Sequence, residues 1–478
     1  MRKKRNRSGK VVWALAILVS AGAGCTATQR TYEGSGGASG GAGGATPDAG
    51  PDAPGAGPGT GGGAETDAGC KVTPGDTEFN DAIAIAGGST HSCAIRQDGA
   101  LYCWGDNAFG QLGVPQATAL ASPKPLKVQF PASLGGARIT AVALGEKTTF
   151  AIDAELRLWV FGNNEAAYRA DGTKDAVPHP EPQMVLTKPG GAPMLVRQVA
   201  PLWYSTCALT ATGEIYCWGQ QIFSGANWKT LGPDAPASDS NVPVKGFSLI
   251  TAPTANAVLA RGTGSLATCY ASGLSSGNAL VCWGFNSLGG LLATNADLMG
   301  ANYDAEAPLL KAGATAPAID VQFGTNFACA RDPKGELFCW GTNPNQGQHE
   351  TMLPPGVAAH VPSGPYSALS TGYVHYCAVD AQQQIRCRGD NNHAQLGRPT
   401  PGGLTDQRLM NPVVDAGGTA VTGFVKVGAG FFHTCAIKQG PCGADGPGTV
   451  YCWGSNENQQ SGGAVGVNAP SPVTIAAP

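Results

Sequence analysis

The chain has 478 residues, a net charge of −3 and 13% charged residues. This is neither the basic balance of a nucleic-acid binder nor the acidity of a solvating tail. Its 70 glycines and 35 prolines imply many turns plus a segment that does not pack, and 15 cysteines are too many for a reducing cytosol.

Met1 to Lys10 is basic, and Val11 to Gly24 is a run of apolar and small residues. The run is too short to span a bilayer comfortably and has the length of a signal-peptide core. It ends Gly22-Ala23-Gly24-Cys25, which resembles a bacterial lipobox, in which a cysteine after small residues takes the lipid and becomes the mature N-terminus. Residues 1–24 are therefore expected to be a lipoprotein signal peptide with Cys25 lipidated. An ordinary secretory signal is the alternative, and either one exports the chain. Thr26 rather than Asp follows the cysteine. By resemblance to Gram-negative sorting, this implies an outer-membrane lipoprotein at the cell envelope.

Residues 25–76 are mostly Gly, Ala, Pro, Ser, Thr and Asp, with almost no large apolar side chain. Such a stretch cannot bury enough surface to fold and reads as a disordered linker. A flexible coil of roughly 45 residues spans on the order of 35–40 Å, enough to hold a domain off a membrane. Gly57-x-Gly59-x-x-Gly62 and Gly37-x-Ser39-x-Gly41 fall here, outside any strand-to-helix setting, so neither reads as a phosphate loop or a nucleophile elbow.

The rest of the chain repeats the stretch Cys93 to Gly113, CAIRQDGALYCWGDNAFGQLG. Two short runs of alternating residue types flank a turn, as in a half-buried hairpin. If Cys93 faces Cys103, the loop is Gln97-Asp98-Gly99, with glycine where a three-residue loop needs a left-handed residue. The two cysteines then lie close enough to bond. The first cysteine position recurs at Cys93, Phe150, Cys207, Cys269, Cys329, Cys377 and Cys435. The second recurs at Cys103, Val160, Cys217, Cys282, Cys339, Cys387 and Cys452. Repeat 2 loses both cysteines together, as a bonded pair should. Trp-Gly follows the second position except in repeat 2 (Phe161-Gly162) and repeat 6 (Arg388-Gly389). Gly213 and Gly335 repeat the loop glycine, whereas repeat 6 has Gln383.

Seven repeats at intervals of 48–62 residues, with short strands and no helical periodicity, suggest propeller blades. The recurring G-x-x-H-[ST]-C-A, Asp-Gly, Tyr-Cys-Trp-Gly and Gly-Gln-Leu-Gly elements resemble the RCC1 (regulator of chromosome condensation) repeat of secreted bacterial type. The resemblance implies an all-β, seven-bladed β-propeller over residues 77–478 with disulfide-stapled hairpins. Six repeat pairs and Cys25 leave Cys70 and Cys442, which such a ring brings together through its first and last blades. A Cys70–Cys442 bond is expected to staple the closure; two free or intermolecular thiols are the competing reading.

His91, His375 and His433 share one repeat position. Three converging histidines could hold zinc. The stronger reading is structural, with each histidine hydrogen-bonding the backbone of its own blade. The Trp-Gly tryptophans read as core wedges and the following Asp or Asn residues as turn formers. Gly273-x-Ser275-x-Gly277 lies in a hairpin loop, and Asp171 to Asp175 lacks the further acids of a calcium loop. Aromatic residues in the variable connections, namely Phe223, Trp228, Tyr168 and Tyr303, are candidate partner contacts. No catalytic set, metal site or cofactor is expected. The expectation is a monomeric, non-catalytic scaffold that binds a protein partner through propeller loops and touches the membrane through its N-terminal lipid only. A carbohydrate-binding or adhesive module and an extracellular hydrolase are the alternatives. The nucleotide-exchange and chromatin roles of the nuclear family member are not carried over.

Overall fold

Each repeat folds into the antiparallel sheet that its alternation and turn chemistry dictate. The computed structural model describes residues 70 to 478 except 76, 132–136, 222–229, 233–234, 237, 248–256, 263–264, 266, 272–279, 285–317, 342–357, 400–408 and 464–465. The chain divides into units 1–52 and 53–478, and every described residue belongs to the second. The signal peptide, Cys25 and the linker as far as residue 69 lie outside the described residues, as does Gly273 to Gly277.

Seven blades follow one another, spanning 82–127, 139–184, 196–247, 258–284, 320–361, 366–412 and 424–474. Blades 2, 3, 5 and 6 are four-stranded, blade 4 has three described strands, and blades 7 and 1 merge into one eight-stranded sheet. Among the described residues there is no helix. The architecture is a β-propeller, with the first strand of each blade innermost, the second and third paired as a hairpin and the fourth at the rim.

The hairpin register is the one that the cysteines predict. Cys93 faces Cys103, Cys207 faces Cys217, Cys269 faces Cys282, Cys329 faces Cys339, Cys377 faces Cys387 and Cys435 faces Cys452. All six pairs are bonded, with Cα atoms 4.0–4.1 Å apart. In blade 2, Phe150 faces Val160 and both are buried. The loop position that needs a left-handed backbone has φ of +83° at Gly99, and Gln383 and Leu156 adopt φ of +56° and +64° at the same position in blades 6 and 2.

One rule packs the blades together. The staple of each blade meets the Trp-position side chain of the next. Trp104 lies with Cys435 and Cys452, Trp453 with Cys377 and Cys387, Trp340 with Cys269 and Cys282, and Trp283 with Cys207 and Cys217. Phe161 lies with Cys93 and Cys103, and Trp218 with Phe150 and Val160. Burying one large ring per interface contributes several kcal/mol on the order of the usual apolar transfer term. Blade 6 has Arg388 at the Trp position, but its directly paired cross-strand neighbour Tyr376 supplies the ring against Cys329 and Cys339.

The rim strands carry proline at alternate positions, as at Pro178, Pro180 and Pro182 in Asp175–Met184 and at Pro470 and Pro472 in Ala469–Thr474. Proline has no N–H to offer an incoming strand, so these edges are poor templates for further pairing. The ring closes between blades 7 and 1. Phe79 N donates to Ile475 O, Val450 N to Phe79 O and Ala477 N to Thr77 O, at 2.9, 2.8 and 3.1 Å. Ala82 pairs with Gly448, and Cys70 is bonded to Cys442.

Candidate functional site

The turn between the first and second strands shapes one end of the propeller. Its opening residue donates back across the turn, as in Gly88 N to His91 O, Gly372 N to His375 O and Gly430 N to His433 O, each 2.8 Å. The imidazole then folds over the glycine. A Cβ at Gly88, Gly372 or Gly430 would sit 2.8, 2.4 or 2.2 Å from the ring Cε1 of its histidine. This contact is why the repeat begins G-x-x-H.

The three histidines do not converge on a metal. Each reaches the next blade: His91 Nε2 to Thr149 Oγ1, His433 Nε2 to Ser92 Oγ and His375 Nε2 to Thr434 Oγ1, at 2.9, 2.8 and 2.9 Å. The expectation of a bond to the histidine's own blade backbone is corrected, because the ring points across the interface. Each hydroxyl gives its own proton to a carbonyl: Thr149 to Gln111, Ser92 to Gln460 and Thr434 to Gln395. The hydroxyl therefore accepts from Nε2–H, and Nδ1 is left buried without a hydrogen-bond partner in all three rings. Burial pushes each histidine down to about 3, so all three are neutral near pH 7. Among the described residues no group of His, Cys, Asp or Glu is placed to hold a metal ion.

The same glutamine carbonyls hold the wedges. Trp104 Nε1 donates to Gln460 O and Trp453 Nε1 to Gln395 O, each 3.0 Å. Asn107 and Asn391 shape the preceding turns, accepting from Leu112 N and Leu396 N. Asp171 is occupied by Thr173 and Arg169, and Asp175 by His179 and Asn164, so these carboxylates serve their own loop.

Two residues at each turn tip project from the end of the blade. In blades 3 and 7 both are aromatic, and in blade 6 the first is Tyr373 beside Val374. Trp203 meets Tyr373 edge-on at 5.7 Å and Phe431 at 6.0 Å, and Tyr373 stacks on Phe431 at 4.8 Å. Phe432 packs on Tyr373 and on His393, and Tyr204 stacks beside Trp203. Trp203, Tyr373 and Phe432 are half-buried, Tyr204 is 36% exposed and Phe431 is buried. The cluster thus joins non-adjacent blades over the end of the inner strands and leaves ring faces open to solvent. Glu146 and Lys147 occupy the blade 2 turn, with Lys147 over the Phe109 ring at 4.7 Å. Partial burial and the charge of Glu146 push the Tyr204 phenol up. The axial cavity beneath, lined by Gly87, Leu144, Pro201, Gln322 and Thr371 among others, is about 50 Å³ and has room for only a few waters.

Two repeat models match the chain, both described as the regulator of chromosome condensation (RCC1) repeat, over residues 82–111 and 98–152. Residues 82–152 thus carry RCC1 repeats. The chain is 29% identical over 139 residues to the ultraviolet-B receptor UVR8 of Arabidopsis thaliana, covering 29% of each protein. It is 24% identical to the E3 ubiquitin-protein ligase HERC2 of Homo sapiens over 69% of this chain and 6% of that protein. The matched region therefore spans less than a third of the length of these relatives. Among solved structures, Prp20p of Saccharomyces cerevisiae superposes with a TM-score of 0.59 at 18% identity, covering 83% of this chain and 87% of that one. Yeast RCC1 (Prp20) in complex with Kap60 superposes with a TM-score of 0.61 over 87% and 90%. Human WBSCR16 gives 0.58 over 74% and 87%.

Of the aromatic residues nominated from sequence, Phe223, Trp228 and Tyr303 lie outside the described residues. Tyr168 is buried at 5% exposure among Phe150, Val160 and Trp218, and its hydroxyl donates to the Trp203 carbonyl. It is corrected from a contact to a buttress, because its connection folds back onto the blade core. Sequence reasoning missed Trp203, Tyr204, Tyr373, Phe431 and Phe432. The available signal was that the two variable positions before the histidine position carry aromatic residues in repeats 3, 6 and 7: Trp203 and Tyr204, Tyr373, and Phe431 and Phe432.

Proposed function

We propose that this RCC1-repeat propeller is an exported, lipid-anchored, non-catalytic scaffold that binds a protein partner through the aromatic end of the ring. The observation that carries this reading is the cluster of Trp203, Tyr204, Tyr373 and Phe432, whose partly open rings pack on one another within and between blades. Tryptophan and tyrosine are over-represented among the residues that anchor protein interfaces. Two structural relatives are described by protein partners: Prp20p by its binding of Gsp1p and histones, and yeast RCC1 by its complex with Kap60. Seven disulfides support an oxidising compartment, and the segment ending at Cys25 supports lipid anchoring there.

The test is capture from cell-envelope extracts by the immobilised protein, beside Tyr204→Ala and Phe432→Ala variants shown to be folded. A protein retained by the parent and lost from both variants supports the reading. Retention by all three, or by none, overturns it. Binding of a glycan instead of a protein would move the assignment to a carbohydrate-binding module. Fatty-acid labelling that survives Cys25→Ala would overturn the anchor.

A further inference from the structure

The seven disulfides fall into two kinds. The twelve hairpin cysteines are 0–1% exposed, each pair sealed beneath the ring of the following blade. Cys70 is exposed and Cys442 half-buried. Cys442 lies in the turn region that lengthens the blade 7 hairpin, between His433–Gly440 and Gly443–Gly454, at the end of the blades opposite the aromatic cluster. The bond joins positions 372 residues apart, so it holds the ring as a whole rather than one hairpin.

We propose that Cys70–Cys442 is a redox-addressable clasp, whose reduction by a dithiol loosens the seam between blades 7 and 1 while the six blade staples stay intact. The reductant's thiolate attacks one sulfur of the clasp, the sulfur–sulfur bond breaks, and the other cysteine leaves as a thiolate and takes a proton. The reductant's second thiol then displaces the mixed disulfide. Two electrons pass from the dithiol, which ends as a disulfide, to the clasp, which ends as two thiols. The hairpin pairs resist because an attacking thiolate must reach a sulfur, and these sulfurs are buried in the cores between blades.

Once the clasp opens, residues 70–75 are held by a few hydrogen bonds, one of them the exposed bond from Asn80 Nδ2 to Thr73 O at 3.3 Å. Val72 N donates to Gln97 Oε1 at 3.2 Å, Gln97 Nε2 donates to Val72 O, and Gly75 N donates to Asn80 Oδ1 at 2.8 Å. The next anchors are Thr77, whose carbonyl accepts from Ala477 N, and Phe79, fully buried among Tyr102, Trp104 and Ile475, with its backbone bonded to Ile475 and Val450. Loss of the clasp thus frees the approach to the one seam made by chain ends, where the tether enters the ring.

The experiment is a dithiol titration of the folded protein, with alkylation and peptide mapping in parallel with hydrogen exchange. Cys70 and Cys442 should alkylate together at reductant levels that leave all six hairpin pairs unlabelled. Exchange at Val72, Gly75, Phe79 and Val450 should then rise about tenfold or more, with blade 3 unchanged. Cys442→Ser should show the same exchange pattern without reductant. Labelling of hairpin cysteines at the same reductant level overturns the proposal, as does clasp labelling, or the serine variant, with unchanged exchange at the seam.

Discussion

His433 Nε2 stands 2.8 Å from Ser92 Oγ, joining the last blade to the first across 341 residues of sequence. With His91–Thr149 and His375–Thr434 it forms three inter-blade bonds in which a neutral imidazole donates and its second nitrogen is buried bare. Each ring has its folded value lowered from 6.5 to about 3. The sign follows directly. Between pH 6.5 and 3 the unfolded chain binds protons that the folded one refuses, so stability is full above pH 6.5 and falls as pH drops through that window. With three groups the slope approaches about 4 kcal/mol per pH unit. Denaturant midpoints measured between pH 8 and 5 should be flat above 7 and fall steeply below 6. A flat profile down to pH 5 would show that the rings charge freely in the fold.

Glycine at the head of the turn is required where an imidazole covers it. A Cβ at Gly430 would meet His433 Cε1 at 2.2 Å and the Gly88 carbonyl oxygen at 2.4 Å. At Gly145, followed by Thr148 in place of histidine, the nearest atom is Pro201 Cβ at 3.4 Å. Gly430→Ala should therefore cost about 2–3 kcal/mol through forced displacement of the ring. Gly145→Ala should stay within about 0.5 kcal/mol. Equal effects of the two in chemical denaturation would mean that the imidazole contact does not set the requirement.

Some of this was legible in the sequence and some was not, for identifiable reasons. The hairpin register was legible because two cysteines and a loop glycine mark both strands of one local unit, as Cys93, Gly99 and Cys103 do. The Cys70–Cys442 bond was legible only through counting, once the ring had been inferred from the family resemblance. The histidine partners were hidden because His91 and Thr149 sit in successive repeats, 58 residues apart. The Ser or Thr that follows the histidine position in the next repeat was the overlooked cue. The aromatic cluster was least legible, since Trp203, Tyr373 and Phe431 meet only when blades 3, 6 and 7 are brought around an axis. Tyr168 misled because it lies in a variable connection between hairpins, where binding loops are expected, whereas this connection turns inward.

Blade 6 shows how a lost wedge is replaced. Arg388 takes the Trp position, and the ring moves to Tyr376 on the paired strand. The histidine position one blade earlier changes with it: Phe327 stands there and contacts the Tyr376 ring at 6.0 Å. An aromatic pair thus substitutes for an imidazole–hydroxyl bond at the same interface. Tyr376→Ala should destabilise by about 3 kcal/mol or more, comparable to truncating a tryptophan wedge. Arg388→Ala should cost clearly less. Calorimetric or denaturant unfolding of the two variants would reverse this reading if arginine proved the costlier loss.

Blade 2 lacks a staple, yet its register is that of the others: Phe150 faces Val160 directly, and both lie in the core with Trp218. Introducing Phe150→Cys and Val160→Cys together should therefore create a seventh hairpin bond without adjustment of the backbone. The gain from so short a loop is below about 3 kcal/mol in the loop-entropy account. Removing the Phe150 ring from beneath Trp218 costs a similar amount. Net stability should thus change little, while local opening of blade 2 becomes rarer because its two central strands can no longer separate. Non-reduced peptide mapping should find the 150–160 bond, and hydrogen exchange of the blade 2 hairpin should slow relative to blade 3. Two persistent thiols in the oxidised, folded variant would mean that the Phe150–Val160 pairing is not the one the other six hairpins share.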